Sequence, residues 1–170
     1  DYEIGDFNPD NLPVTYGMDF GFNDPTTCVK VAIDNKNKII YAKEIYYQSG
    51  VLIEEVYPQI KDEIGNCLVL GDASKLDDIT RLKNMGLNIE KCFKGGGLDG
   101  SSILPGIKVL KKYDLIIDKD SLNFINELNN YCWDNRKVET PRDNYNHIID
   151  PLRYVAYDNE LNITAVLCLA

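Results

Sequence analysis

The apolar period changes near Val51, and no other feature constrains the fold as tightly. Upstream of it, Val14 to Phe20, Thr27 to Ile33 and Lys38 to Tyr47 (KIIYAKEIYY) alternate apolar and polar positions, as half-buried strands do. Asn23, Asp24 and Pro25 mark one turn and Asp34 to Asn37 the next, which predicts an antiparallel meander. Downstream, Leu52, Val56, Ile60 and Ile64 recur at helical spacing, and Gly65 closes the helix. The short apolar run CLVL then suits a strand buried on both faces. A helix from about Leu76 to Asn84, a strand over Leu87 to Phe93 and the loop GGGLDGSS follow. Next come a helix carrying Ile103, Ile107 and Leu110, the strand DLIID, a helix over Leu122 to Trp133, and a last helix through IIDPLRYVAY.

Three meandering strands followed by alternating helix and strand predict an α/β chain. Its mixed sheet has three antiparallel strands and then parallel ones, flanked by helices on both faces. The Val14 strand sits centrally, with the CLVL strand as its parallel neighbour. Residues 14–158 are expected to form the domain. The polar lead-in 1–13 reads as a linker remnant, and residues 159–170 as a tail, either a final strand or a buried segment.

With 170 residues and 44% hydrophobic content, the chain can bury a substantial core. Its net charge of −9 argues against binding nucleic acid through bulk electrostatics. It leaves room for an enzyme that acts on DNA with metal ions, because clustered carboxylates are acidic until cations neutralise them. The five cysteines are scattered, with no CxxC pair, which suits reduced and mostly buried thiols of an intracellular protein. No apolar stretch approaches a membrane span and no signal peptide is evident, so a cytosolic protein without a membrane partner is expected.

Asp19 follows the apolar run TYGM, and Asp72 follows CLVLG, so two acids leave the core at the carboxyl ends of central strands. Open α/β sheets place their sites there. Either acid alone is more often a cap or turn former; together they repel unless one is protonated or a cation lies between them. In NYNHIIDPLRY the only histidine, His147, stands three residues before Asp150, a spacing that aims both at one side of a helix. Pro151 requires that helix to start close to His147. Taken alone, this segment reads as a cap beside a surface histidine. The three acids together suit Mg²⁺ or Mn²⁺ rather than zinc. Two such ions about 4 Å apart can activate a water and steady the leaving oxygen of a phosphodiester. His147 would then orient or deprotonate the water, or complete the ligand set.

The pieces YGMDFGFNDPTT, LGDAS, KGGG with SILPGIKVL, and NHIIDPLRY stand in one order over about Tyr16 to Tyr157. In that combination the chain resembles the nuclease domain of the large terminase subunit of tailed bacteriophages, an RNase H-like fold. The resemblance implies a divalent-metal-dependent endonuclease that cuts double-stranded concatemeric DNA at the start and end of genome packaging, in the host cytoplasm. It matches Asp19, Asp72 and Asp150 to the catalytic metal-binding triad and His147 to a histidine beside the last acid. Asp24 is a candidate for a second ion or for shaping its loop. The family joins this domain to an amino-terminal ATPase, and the portal and small terminase subunit are the further partners implied. The chain has no GxxxxGK[ST] loop, so it resembles the nuclease half alone. GGGLDGSS is longer than the family's usual connection there.

Lys94, before three glycines, is the first choice for a DNA phosphate contact, with Lys91 and Arg153 behind it; each also reads as solvated surface or as part of a helix-stabilising pair. The acidic balance predicts weak DNA affinity and little sequence preference for the domain alone. Two alternatives share the pattern: another RNase H-like nuclease, such as a junction resolvase or transposase-like core, and a non-catalytic assembly module with a decayed site. A sugar-kinase or actin-like ATPase fits poorly, since it needs two such domains.

Overall fold

The computed structural model describes residues 2–93, 103–131 and 146–169. Its strands are β1 (Tyr2–Gly5), β2 (Val14–Asp19), β3 (Thr26–Asp34), β4 (Ile39–Gln48), β5 (Val69–Gly71), β6 (Ile89–Lys91) and β7 (Asp114–Asp118). Its helices are α1 (Ile53–Ile64), α2 (Leu76–Asn84), α3 (Ile103–Leu110), α4 (Leu122–Asn130) and α5 (Ile149–Leu169). The strands join in one sheet of order β1-β7-β4-β3-β2-β5-β6. β2, β3 and β4 form the antiparallel meander, while β5, β6, β7 and β1 add in parallel. β2 lies inside the sheet with β5 as its parallel neighbour, as its pattern predicts.

Strand alternation sorts the core onto two faces. Met18, Cys28 and Val69 pack with Val56 and Ile60 of α1 and Leu82 of α2. Val29, Val31, Leu70 and Ile117 turn the other way, onto Phe124 of α4 and Leu152 and Val155 of α5. Neighbouring residues of β5 therefore belong to different cores, the arrangement its unbroken apolar run foretells. Cys28 and Cys92 are buried, and Cys67 is exposed.

Both ends depart from the sequence reading. Tyr2–Gly5 is a strand on the sheet edge, paired with Leu115–Asp118. Tyr2 donates from its hydroxyl to Asn129 Oδ1 (2.8 Å), and the Phe7 amide donates to Asp118 Oδ2 (3.0 Å). Edge pairing uses main-chain groups and leaves Glu3 and Ile4 exposed, so no apolar alternation marks it. The carboxyl-terminal segment is neither strand nor separate tail, because α5 runs on through it to Leu169. Extending a helix already formed adds one hydrogen bond per residue without a new nucleus, which outweighs the strand preference of isolated Ile and Val. Among the described residues no helix is long and apolar enough to cross a membrane.

Candidate metal centre at the strand tips

Asp19 ends β2, and Asp72 follows β5. The parallel register pairs Met18 with Gly71, and the Asp72 amide donates to the Met18 carbonyl at 3.2 Å, so Asp19 and Asp72 stand side by side. Alternation puts both on the face that α5 covers, two residues beyond Gly17 and Leu70 respectively.

The start of α5 is pressed directly onto that face. A Cβ built on Gly17 would lie 2.3 Å from the Pro151 carbonyl oxygen, so only glycine admits this approach. Pro151 has no N–H, and the carbonyl four residues earlier, that of His147, must find another donor. The Thr27 hydroxyl supplies it at 2.6 Å from β3. A third anchor comes from α4. Glu127, 1% exposed, accepts from the amides of Ile148 (2.9 Å) and Ile149 (3.4 Å) and from the Tyr47 hydroxyl (2.9 Å). A carboxylate there satisfies amides that a helix start leaves orphaned and opposes the positive end of its dipole. Burial pushes the Glu127 carboxyl up, and these donors together with the nearby His147 pull it back.

Asp150, in the first turn of α5, thereby comes beside the strand-tip acids. Burial, and then the charges of Asp150 and Asp72, push the Asp19 carboxyl up to about 7; the Phe20 amide and the charge of Arg153 act against the rise. Tyr154 feels all three acids, and burial first and then their charges push its hydroxyl up. Asp72, 9% exposed, accepts from the Ser74 amide at 2.9 Å and from the Ser74 hydroxyl. Asp150 Oδ1 pairs with Arg153 Nη2 at 2.8 Å. Among the described residues no three His, Cys, Asp or Glu side chains close on a common point in the manner of a formed metal site. Asp72 and Asp150 instead turn to donors beside them, as adjacent carboxylates do to offset mutual repulsion. The donor chemistry nevertheless fits a hard divalent cation: oxygen ligands only, crowded enough to hold one proton near neutrality.

The remaining sequence candidates separate. His147 lies in the turn before α5 rather than within the helix, partly buried and near Glu127. Asp24 is exposed on the β2–β3 turn, where its charge reaches Tyr47. Lys91 stands exposed at the end of β6. Arg153 departs from the expectation of a phosphate contact. It is 2% exposed and committed to Asp150, because its position faces α3 and the sheet rather than solvent. Lys94 lies outside the described residues.

Gly17, Thr27, Glu127 and Tyr154 escaped the sequence reading. Glu127 left one signal, a charge among the inward positions Phe124, Leu128 and Tyr131 of its helix.

Residues 19–158 match the family model described as terminase RNAseH like domain. No curated protein matches the chain in sequence. The fold is similar to that of the large terminase nuclease domain of bacteriophage SPP1 with bound Mn, at 24% identity and a TM-score of 0.77, covering 94% of this chain and 96% of that one. It is similar to the large terminase of thermophilic bacteriophage D6E, at 20% identity and a TM-score of 0.71, covering 91% of this chain and 42% of that one. The large terminase nuclease of thermophilic phage G20c with bound magnesium matches at 16% identity and a TM-score of 0.58, covering 87% and 82%. At these identities the likeness is one of fold.

Proposed function

Given that this chain belongs to the terminase RNase H-like domain family, we propose that it is a divalent-metal-dependent endonuclease acting on double-stranded DNA. The observation that carries the proposal is the gathering of Asp19, Asp72 and Asp150 on one face of the sheet, where burial and the two neighbouring acids hold the Asp19 carboxyl near 7. Such a cluster is costly for the fold alone, and a hard cation removes the cost. Asp19 and Asp72 are placed by the β2–β5 register, and Asp150 by the seating of α5 against Gly17.

Asp19, Asp72 and Asp150 would hold a pair of Mg²⁺ or Mn²⁺ ions, whose charge would acidify an attacking water and offset charge on the leaving oxygen. The three aspartates hold and space the ligand positions. His147, beside Asp150 in sequence and backed by Glu127, orients the water or takes its proton, and Asp24 shapes the rim of the site. Lys91 and Lys94 contact backbone phosphates. These contacts are few against the net charge of −9, so the domain grips DNA weakly. Positioning then falls to an ATPase domain of the same polypeptide, the portal and the small terminase subunit, with cuts in concatemeric DNA at the start and end of packaging.

Supercoiled plasmid incubated with Mn²⁺ or Mg²⁺ tests the reading. Nicking should require the ion, stop with chelator, and be lost in Asp19→Asn, Asp72→Asn and Asp150→Asn. Full activity in the Asp72→Asn protein, or cutting that survives chelation, would refute the shared site.

A further inference from the structure

Arg153 is the only lysine or arginine buried among the described residues, and it lies against the most acidic part of the interior. Its side chain is 3% exposed, with Nη2 2.8 Å from Asp150 Oδ1. Its guanidinium carbon stands 5.3 Å from the centre of the Tyr154 ring, within cation–π range. The aliphatic stem runs across α3 at Gly106. A Cβ there would lie 2.3 Å from Arg153 Cγ and 2.7 Å from Cδ, so the helix surface is cut away where the stem passes. Burying a guanidinium is expensive unless it is paired, and this one is paired at Nη2, lies over the Tyr154 ring and packs its stem on α3.

We propose that Arg153 is a positioning residue that serves as a resident cation for the three-aspartate cluster. It holds Oδ1 of Asp150, whose Oδ2 faces the Asn146 amide at 3.5 Å, and it keeps the fold intact when no divalent ion is bound. The inference rests on the metal-centre reading above. An arginine suits the task better than a lysine, because it stays charged at any working pH and its rigid fork fixes the carboxylate plane. Arginine and divalent ion then do overlapping work: each offsets the same negative charge, so losing one matters most in the absence of the other.

The test compares melting temperatures of wild type, Arg153→Met, Arg153→Lys and Gly106→Ala in chelator and in saturating Mn²⁺, with Mn²⁺ affinity measured by calorimetry. Arg153→Met should melt about 10 °C below wild type in chelator, but no more than half as far below in Mn²⁺. Gly106→Ala, which removes no charge, should shift in the same unequal way by displacing the stem; Arg153→Lys should fall between Met and wild type. Equal losses for Arg153→Met in both conditions would overturn the proposal, since a purely packing role ignores the ion. If Arg153→Met does not fold in either condition, Gly106→Ala and Arg153→Lys carry the same comparison, and equal losses in both overturn it. A wild type that neither binds Mn²⁺ nor is stabilised by it would overturn the metal-centre reading and the arginine's role with it. Ion binding by wild type with equal losses in the variants would remove only the latter.

Discussion

Gly17 of β2 and Pro151 of α5 meet so closely that a Cβ on the glycine would stand 2.3 Å from the proline carbonyl oxygen. This contact sets how deeply the start of α5 sinks toward the sheet, and therefore how near Asp150 comes to Asp19. Gly17→Ala must lift that turn or strain it, at a cost of about 1–3 kcal/mol. Urea unfolding should register the loss, and Mn²⁺ affinity should weaken with it. Unchanged values for both would show that α5 is not seated on β2.

The Thr27 hydroxyl replaces the donor that Pro151 cannot provide to His147. Thr27→Val keeps the shape and leaves that carbonyl unsatisfied in the interior, for a loss of about 1–3 kcal/mol. Thr27→Ser should restore most of it. A valine variant as stable as wild type in denaturant would rule out the bond's contribution.

Glu127 joins α4 to the start of α5. Glu127→Met keeps the length of the side chain but leaves the amides of Ile148 and Ile149 and the Tyr47 hydroxyl without their acceptor, costing about 2–3 kcal/mol. Amide exchange at Ile148 and Ile149 should accelerate well beyond the global change. Protection equal to wild type at both amides would contradict the anchoring role.

Asp19 has its folded pKa raised from 3.8 to about 7, so the folded state binds more protons than the unfolded state between those values. Without divalent ions, stability therefore declines as pH rises from about 4 to about 7, by about 4 kcal/mol at most. Asp19→Asn should flatten this slope. Below pH 7 an arriving Mn²⁺ must displace the proton, so affinity should rise with pH toward neutrality, and calorimetry in buffers of different ionisation enthalpy should detect proton release. A pH-independent affinity over that range would contradict the shift.

Lys91 is exposed at the edge of the sheet. If it contacts a backbone phosphate, Lys91→Ala should lower the slope of log affinity for duplex DNA against log salt by about 1, irrespective of sequence. Equal slopes would remove it from the interface.

The succession of elements was legible in the residues because strand and helix periods are local properties of the main chain: KIIYAKEIYY and the spacing Leu52, Val56, Ile60, Ile64 require no knowledge of their neighbours. The strand-tip placement of Asp19 and Asp72 followed from the same patterns, and β2 and β5 do run side by side. Only tertiary structure decided which segments meet. The strand Tyr2–Gly5 exists because β7 offers it an edge; Arg153 turns inward because Gly106 of α3 makes room and Asp150 stands there to pair with it; Glu127 serves a helix that begins 22 residues later in the chain. A one-dimensional pattern records whether a position faces the interior, whereas the charge or hydrogen-bond partner that makes burial tolerable is supplied by another part of the chain. For that reason Asp150 could be named from sequence, while the arginine that holds it could not be placed.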